Sequence, residues 1–204
     1  MLFNKIITLS LSPAADITCY VDSLKADQAH EVQTELYDAA GKAVDVSRVL
    51  RSYEIKNTAL IVAGRENSER YFNRLRDENV ETRVIYTEGR IRENLGFVTP
   101  DGKTTLFIRK GPRIKHQTID ELEKVLSDEV KPATLVVVAG LMPEGITDEI
   151  FCEICAFIQS CGGVIALDTR SATLENIRRI KPWVIKPNRE ELCALAGRQL
   201  NTLE

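Results

Sequence analysis

The sequence predicts an α/β fold: a doubly wound, mainly parallel sheet with helices on both faces, and a small antiparallel β lid beside it. Three observations predict it. Short β-rich apolar runs alternate with segments of helical period along most of the chain, the pattern of successive βαβ units. Residues 133–139 (Ala-Thr-Leu-Val-Val-Val-Ala) are apolar almost without a break, as expected of a parallel strand covered on both sides. Residues 94–100 and 103–109 flank Asp101-Gly102, a strong hairpin signal that interrupts the alternation. The 204 residues suit one unit, 1–204, with the lid formed by about 17–37 and 92–109.

In order, residues 5–11 read as a first strand closed by Ser12-Pro13. Residues 17–22 and 31–37 alternate in the manner of half-exposed strands. A turn of small residues, Ala39-Ala40-Gly41, then opens a helix. Val46, Val49, Leu50 and Tyr53 recur at helical spacing and are expected to form its buried face. Residues 58–63 are a short buried strand, 68–79 a helix, and 81–86 a further strand. After the hairpin the regular pattern returns. A helix spans 118–130, with Ile119, Leu122, Val125 and Leu126 inward, and the apolar strand follows it. A helix over 147–160 is capped by Thr147 and ended by Gly162-Gly163. Strand 164–167 leads to Asp168, a short helix covers 174–179, and strand 183–185 leads into Lys186-Pro187-Asn188. The last helix, 189–196, stops at Gly197.

Hydrophobic content of 44% and charged content of 28% are those of an ordinary globular protein. The net charge of −3 argues against generic attraction to nucleic acid or membrane. No apolar run approaches a membrane span and no secretory leader is evident, so a cytoplasmic location is expected. The five cysteines are odd in number and scattered, which does not suggest a disulfide framework. Cys152 and Cys155 have CxxC spacing but no second ligand pair, and they read as buried thiols before a metal or redox pair.

Polar residues gather at the predicted strand ends, where open α/β sheets bind ligands. Asp16, expected just past the first strand, is either an acceptor for sugar hydroxyls or a turn aspartate. Gly41 and Lys42 offer a helix N-terminus with a full positive charge to an anion, or simply a tight turn. Asn188 and Glu191 share a helix face, and either order water around a magnesium ion or form a capping box. Arg90, Arg92, Arg109, Lys110, Arg113 and Lys115 cluster near the hairpin, either to hold phosphate or as a solvated rim.

Ordered motifs along the whole chain resemble those of the ribokinase-like (PfkB) carbohydrate kinases, in the 1-phosphofructokinase and tagatose-6-phosphate kinase branch. They are Leu9-Ser-Leu-Ser-Pro-Ala-Ala-Asp16, the run from Ala39 to Leu50, Arg92-Glu-Asn-Leu95, Pro100-Asp-Gly-Lys103, Arg109-Lys-Gly-Pro112, Val138-Ala-Gly-Leu-Met-Pro-Glu-Gly145 and Lys186-Pro-Asn-Arg-Glu-Glu191. The resemblance implies transfer of the ATP γ-phosphoryl group to a ketohexose phosphate with Mg²⁺. Fructose 1-phosphate is the first expectation and tagatose 6-phosphate the second. It places Asp16, Gly41, Lys42 and Asp45 at the sugar, and Arg92, Asn94 and Arg109 at the lid and the substrate phosphate. Lys186, Asn188 and Glu191 are assigned to ATP, with Glu191 reaching the metal through water. The small sheet has exposed edges and faces, so it is expected to act as a lid, a dimer surface, or both, with a homodimer formed through the lid as the expected partner arrangement.

This sequence departs from the family pattern. Ala40 and Ala43 replace glycines, Asp45 replaces an asparagine, and Ala139 and Leu141 replace small hydroxyl residues. The family's Gly-Ala-Gly-Asp motif, which carries the catalytic base, does not occur in these residues; it is expected beyond Glu204. Two expectations follow. Either the chain is an incomplete sugar-phosphate kinase that does not turn over alone, or it is a catalytically silent relic that binds a sugar phosphate or only dimerises. An uncovered apolar sheet edge is expected to promote association.

Overall fold

The computed structural model describes residues 2–200. The chain begins with β1 (Lys5–Ser10), then β2 (Ala14–Val21) and β3 (Val32–Ala40). Helix α1 (Lys42–Ser52), β4 (Thr58–Gly64), α2 (Ser68–Asp77) and β5 (Thr82–Thr87) follow. The hairpin is β6 (Arg92–Val98) and β7 (Thr104–Ile108). Then come α3 (His116–Glu129), β8 (Thr134–Ala139), α4 (Asp148–Ser160), β9 (Gly163–Asp168), α5 (Leu174–Ile180), β10 (Val184–Ile185) and α6 (Arg189–Ala196).

The main sheet has six strands in the order β10-β9-β8-β1-β4-β5, and every pairing is parallel. All its carboxyl ends therefore lie along one edge. Two apolar clusters cover its faces. Leu122 and Leu126 of α3 and Phe151, Ile154 and Ile158 of α4 pack with Leu9, Val62, Val136 and Ile165 on one side. Val44 of α1 and Tyr71 and Leu75 of α2 pack with Ala59, Ile61 and Ala63 on the other. Thr147 caps α4 as the sequence predicts, accepting a hydrogen bond from the Ile150 N–H. Cys152 and Cys155 lie inside the first cluster, and burial pushes the Cys155 thiol up to about 12.

The second sheet has the order β3-β2-β6-β7. Its outer pairings are antiparallel, but β2 and β6 run parallel, so the sheet is mixed rather than antiparallel as expected. Both strands leave the edge of the main sheet in the same direction, and that fixes their relative sense. The hairpin turn closes with Gly102 at φ +79 and its N–H bonded to the Thr99 carbonyl.

Two further expectations are corrected. Strand β2 begins at Ala14, so Asp16 lies within a strand rather than in a turn. Helix α1 buries Ala43, Val44 and Ser47, while Val49 is 55% and Tyr53 74% exposed. Small side chains let the helix approach β1 closely enough for Ser47 Oγ to lie 2.7 Å from Thr8 Oγ1. Close approach, rather than hydrophobicity, decides which face is inward. Ala39, Ala40 and Ala43 are likewise buried, so the alanines at 40 and 43 act through packing. Tyr71 fixes this corner by donating its hydroxyl proton to the Ala40 carbonyl at 2.8 Å.

No described helix is long and apolar enough to cross a membrane. At the other end of the main sheet, β10 is exposed, and α6 buries none of its residues. Trp183, Val184 and Leu192 all face solvent there.

Candidate active site

The strand register places four polar side chains on one face of the second sheet. Asp38, Asp16 and Asn94 are cross-strand neighbours on β3, β2 and β6, and Arg92 lies two residues before Asn94. The Asn94 amide donates to Asp16 Oδ1 at 2.7 Å. Two buried polar atoms of this group have no hydrogen-bond partner among the described residues: Asn94 Oδ1 and Arg92 Nε. Burial pulls the Arg92 guanidinium below its usual range; the charge of Asp16 opposes this and that of Arg170 adds to it. A buried donor and a buried acceptor left unmade cost stability, and a polar ligand would satisfy both.

Asn67, ahead of α2, holds this strand in place. Its amide donates to the Ile91 carbonyl at 3.0 Å and to Glu93 Oε1 at 3.1 Å, and its oxygen accepts from the Ile91 N–H at 2.7 Å. Four of the other basic residues of the cluster, Arg90, Arg109, Arg113 and Lys115, are engaged elsewhere. Arg109 donates to Glu93 at 2.9 Å and Arg113 to Glu144 at 2.6 Å; Arg90 pairs with Glu93 and Lys115 with Glu88. Arg109 therefore sits on a paired rim, and Arg92 is the arginine aimed at the polar group.

Gly41 links the second sheet to α1. Its φ of +135° is closed to most side chains, so glycine is required here by backbone conformation. Asp45, one turn into α1, faces Arg48, which donates to it at 3.1 Å, to Asp38 at 2.8 Å and to Glu78 at 2.6 Å. Burial holds the Asp45 carboxyl above the usual carboxylate range; Arg48 opposes the rise, and Asp38 and Asp16 add to it. A carboxyl whose pKa is higher folded than unfolded destabilises the fold above that window, and the penalty fades as pH falls through it. Asp45→Asn is therefore expected to raise the thermal midpoint at about pH 7, with the gain vanishing near pH 4. Thermal melts of both proteins across pH check this; a pH-independent difference contradicts it.

Lys42, the first residue of α1, reaches the end of the main sheet. Its ammonium is 3.0 Å from Asp168 Oδ1 at the carboxyl end of β9 and 3.8 Å from Glu191 Oε1. Lys186 reaches the other Asp168 oxygen at 3.1 Å. Asn188 and Glu191 form the capping box of α6, with Asn188 Oδ1 accepting from the Glu191 N–H and Glu191 Oε2 from the Asn188 N–H. The cap uses one carboxylate oxygen of Glu191 and leaves Oε1 turned to Lys42. Beside this group is a cleft of about 450 Å³, lined by Thr169, Arg170, Ser171, Lys186 and Glu191 and by apolar Leu174, Ile177 and Leu195. Sequence reasoning missed Arg170 and Asn67. Arg170 could have been found from its position two residues beyond a strand end.

Asp168 and Glu191 fit a hard divalent cation: they offer two carboxylates and already hold a cation between them. No group of three or more His, Cys, Asp or Glu suited to a metal occurs among the described residues. Any such cation would draw its remaining ligands from water and phosphate.

The parallel sheet with its accompanying second sheet is a fold shared with solved structures. The chain matches Escherichia coli phosphofructokinase-2 in complex with substrates and products at a TM-score of 0.89 and 23% identity. That match covers 98% of this chain and 65% of the other. The same enzyme with fructose-6-phosphate matches at 0.86, with 23% identity, over 98% and 66% of the two chains. The family is shown by sequence: the model of the pfkB family carbohydrate kinases matches residues 5–204, and the chain belongs to that family. It is 30% identical to a 1-phosphofructokinase of Vibrio cholerae over 98% of its length and 28% identical to one of Escherichia coli K12 over 97%. It spans 63% of the length of each of these relatives.

Proposed function

We propose that these residues form the sugar side of an ATP-dependent sugar-phosphate kinase whose acceptor is a ketohexose phosphate, fructose 1-phosphate first and tagatose 6-phosphate second. The observation that carries this reading is the pair of unpartnered buried atoms, Arg92 Nε and Asn94 Oδ1, beside Asp16. Asp16 and Asn94 accept and donate to sugar hydroxyls, and Arg92 with Arg170 receives the phosphate of the acceptor. Arg109, at the rim, tethers the hairpin through Glu93. Gly41 gives the backbone turn beside the sugar, and Asp45 keeps Arg48 oriented beneath it.

Lys186 and Glu191 line the cleft that we assign to the nucleotide, Asn188 caps the helix that carries Glu191, and Asp168 and Glu191 lie toward the metal. Magnesium, when bound, neutralises phosphate charge; transfer of this kind depends on positioning and charge compensation. None of the described residues is assigned as the base. The 204-residue chain is expected to show no ADP release with fructose 1-phosphate or tagatose 6-phosphate in a coupled assay, and clear turnover contradicts this division of the site.

The second sheet also supports a lid-to-lid homodimer. Leu36 and Leu106 share a cross-strand row with Thr18 and Gly96, next to the Asp16 row that ends at Ile108, and all three apolar side chains are exposed. A catalytically silent relic that binds a sugar phosphate or only dimerises is the rival reading, motivated by Ala40, Ala43, Asp45, Ala139 and Leu141. Calorimetric titration with fructose 1-phosphate separates a binder from a chain that only dimerises: saturable heat supports binding, and its absence supports the dimerising relic. A cytoplasmic site of action accords with this chemistry.

A further inference from the structure

We propose that the Lys42 ammonium is a place-holder for the divalent cation, seated between Asp168 and Glu191 and leaving when the cation arrives. The proposal rests on reading those two carboxylates as the cation end of the site.

Both carboxylates are secluded: the side chains of Asp168 and Glu191 are 12% and 14% exposed. Such groups require compensating charge. Lys42 supplies it to both, at 3.0 Å and 3.8 Å, although it belongs to α1 and they belong to β9 and α6. Its own side chain is 45% exposed, so it can swing to solvent or to an arriving anion without losing a packed position. Lys186 differs. It contacts Asp168 Oδ2 at 3.1 Å, its side chain is 75% exposed, and among the described residues its ammonium pairs with Asp168 alone. The position between the two carboxylates is thus held by Lys42, and a divalent ion cannot share it with a monovalent charge of the same sign.

The exchange has a directional consequence. Lys42 follows Gly41, on the sugar side of the site, so a displaced ammonium is free to meet phosphate charge between the two halves. Cation binding at one end then changes the charge offered at the other, and by linkage an anion that draws Lys42 away favours the cation.

Titration of the 204-residue chain with Mn²⁺, followed by the loss of the free-ion paramagnetic resonance signal, tests this in wild type, Lys42→Met, Lys42→Arg and Lys186→Met. Circular dichroism confirms folding of each. Lys42→Met is expected to bind Mn²⁺ about tenfold more tightly than wild type, Lys42→Arg no more tightly, and Lys186→Met about two- to threefold more tightly. Asp168→Asn added to Lys42→Met is expected to abolish the gain. Equal gains from Lys42→Met and Lys186→Met overturn the place-holder, since a general field effect explains them. Wild-type affinity equal to that of Lys42→Met also overturns it. Absence of Mn²⁺ binding in every variant overturns the cation reading of Asp168 and Glu191 itself.

Discussion

Arg92→Ala is expected to weaken binding of fructose 1-phosphate roughly 10- to 100-fold while leaving the thermal midpoint unchanged or slightly raised. The affinity estimate follows from the strength of charge-assisted hydrogen bonds to phosphate. The stability estimate follows from the fold. Arg92 Nε is buried and unpartnered, and burial acts against its charge, so truncation leaves no partner unpaired within the described residues. A residue that served packing or an ion pair would show the opposite profile, a lowered midpoint with binding intact. Arg109→Ala provides the comparison. Its partner is Glu93 at the rim, and a surface pair of this kind contributes about 0–1 kcal/mol, so its effect on binding should be several-fold smaller. Paired calorimetry and thermal melts on the two variants decide between the assignments.

Gly145→Ala is expected to be the most destabilising of the small substitutions considered, by roughly 3 kcal/mol or more. Gly145 has φ +94°, and a Cβ there would lie 2.1 Å from the Ile114 carbonyl oxygen. Either conflict alone forces the backbone to move. The adjoining hydrogen bond, from the Ile114 N–H to the Glu144 carbonyl at 2.8 Å, ties the segment after the hairpin to the loop after β8 and would be strained with it. For a chain of this size the midpoint should fall by about 6–12 °C. Gly102→Ala is the control: its φ is also positive, +79°, but nothing lies within 4 Å of the added methyl. A smaller loss at Gly102 and a large one at Gly145 separates contact from conformation. Equal losses would show that backbone conformation alone is responsible.

The strands and helices were legible because each carries its own period, and β8, α3 and α4 fall within a residue or two of their expected bounds. Strand β2 was read short because Ala14 and Ala15 have little β character; their place is fixed by pairing with β3 and β6 on either side. The buried face of α1 was misread for a related reason. Hydrophobicity favoured Val49 and Tyr53, whereas the interface selects residues small enough for close approach.

At the site, the neighbours Asp16, Arg92 and Asn94 could be named from motifs. Their hydrogen-bond vacancies could not, since these depend on what the other strands fail to supply. Lys42 shows the limit most clearly. Its partner Asp168 is 126 residues away, and only the alignment of α1 with the end of β9 brings them together. Asn188 and Glu191 left two readings open in the sequence; the structure shows the capping box with one Glu191 oxygen turned toward the cationic cluster.

The central claim is that the polar face made by Asp16, Arg92 and Asn94 receives a phosphorylated sugar. The most direct measurement is calorimetric titration of the 204-residue chain with fructose 1-phosphate, with fructose and inorganic phosphate as parallel titrants. Saturable heat with fructose 1-phosphate, much weaker binding of either part alone, and loss of the heat in Arg92→Ala are the predicted results. No saturable heat with fructose 1-phosphate or tagatose 6-phosphate, or undiminished binding in Arg92→Ala, would contradict the account.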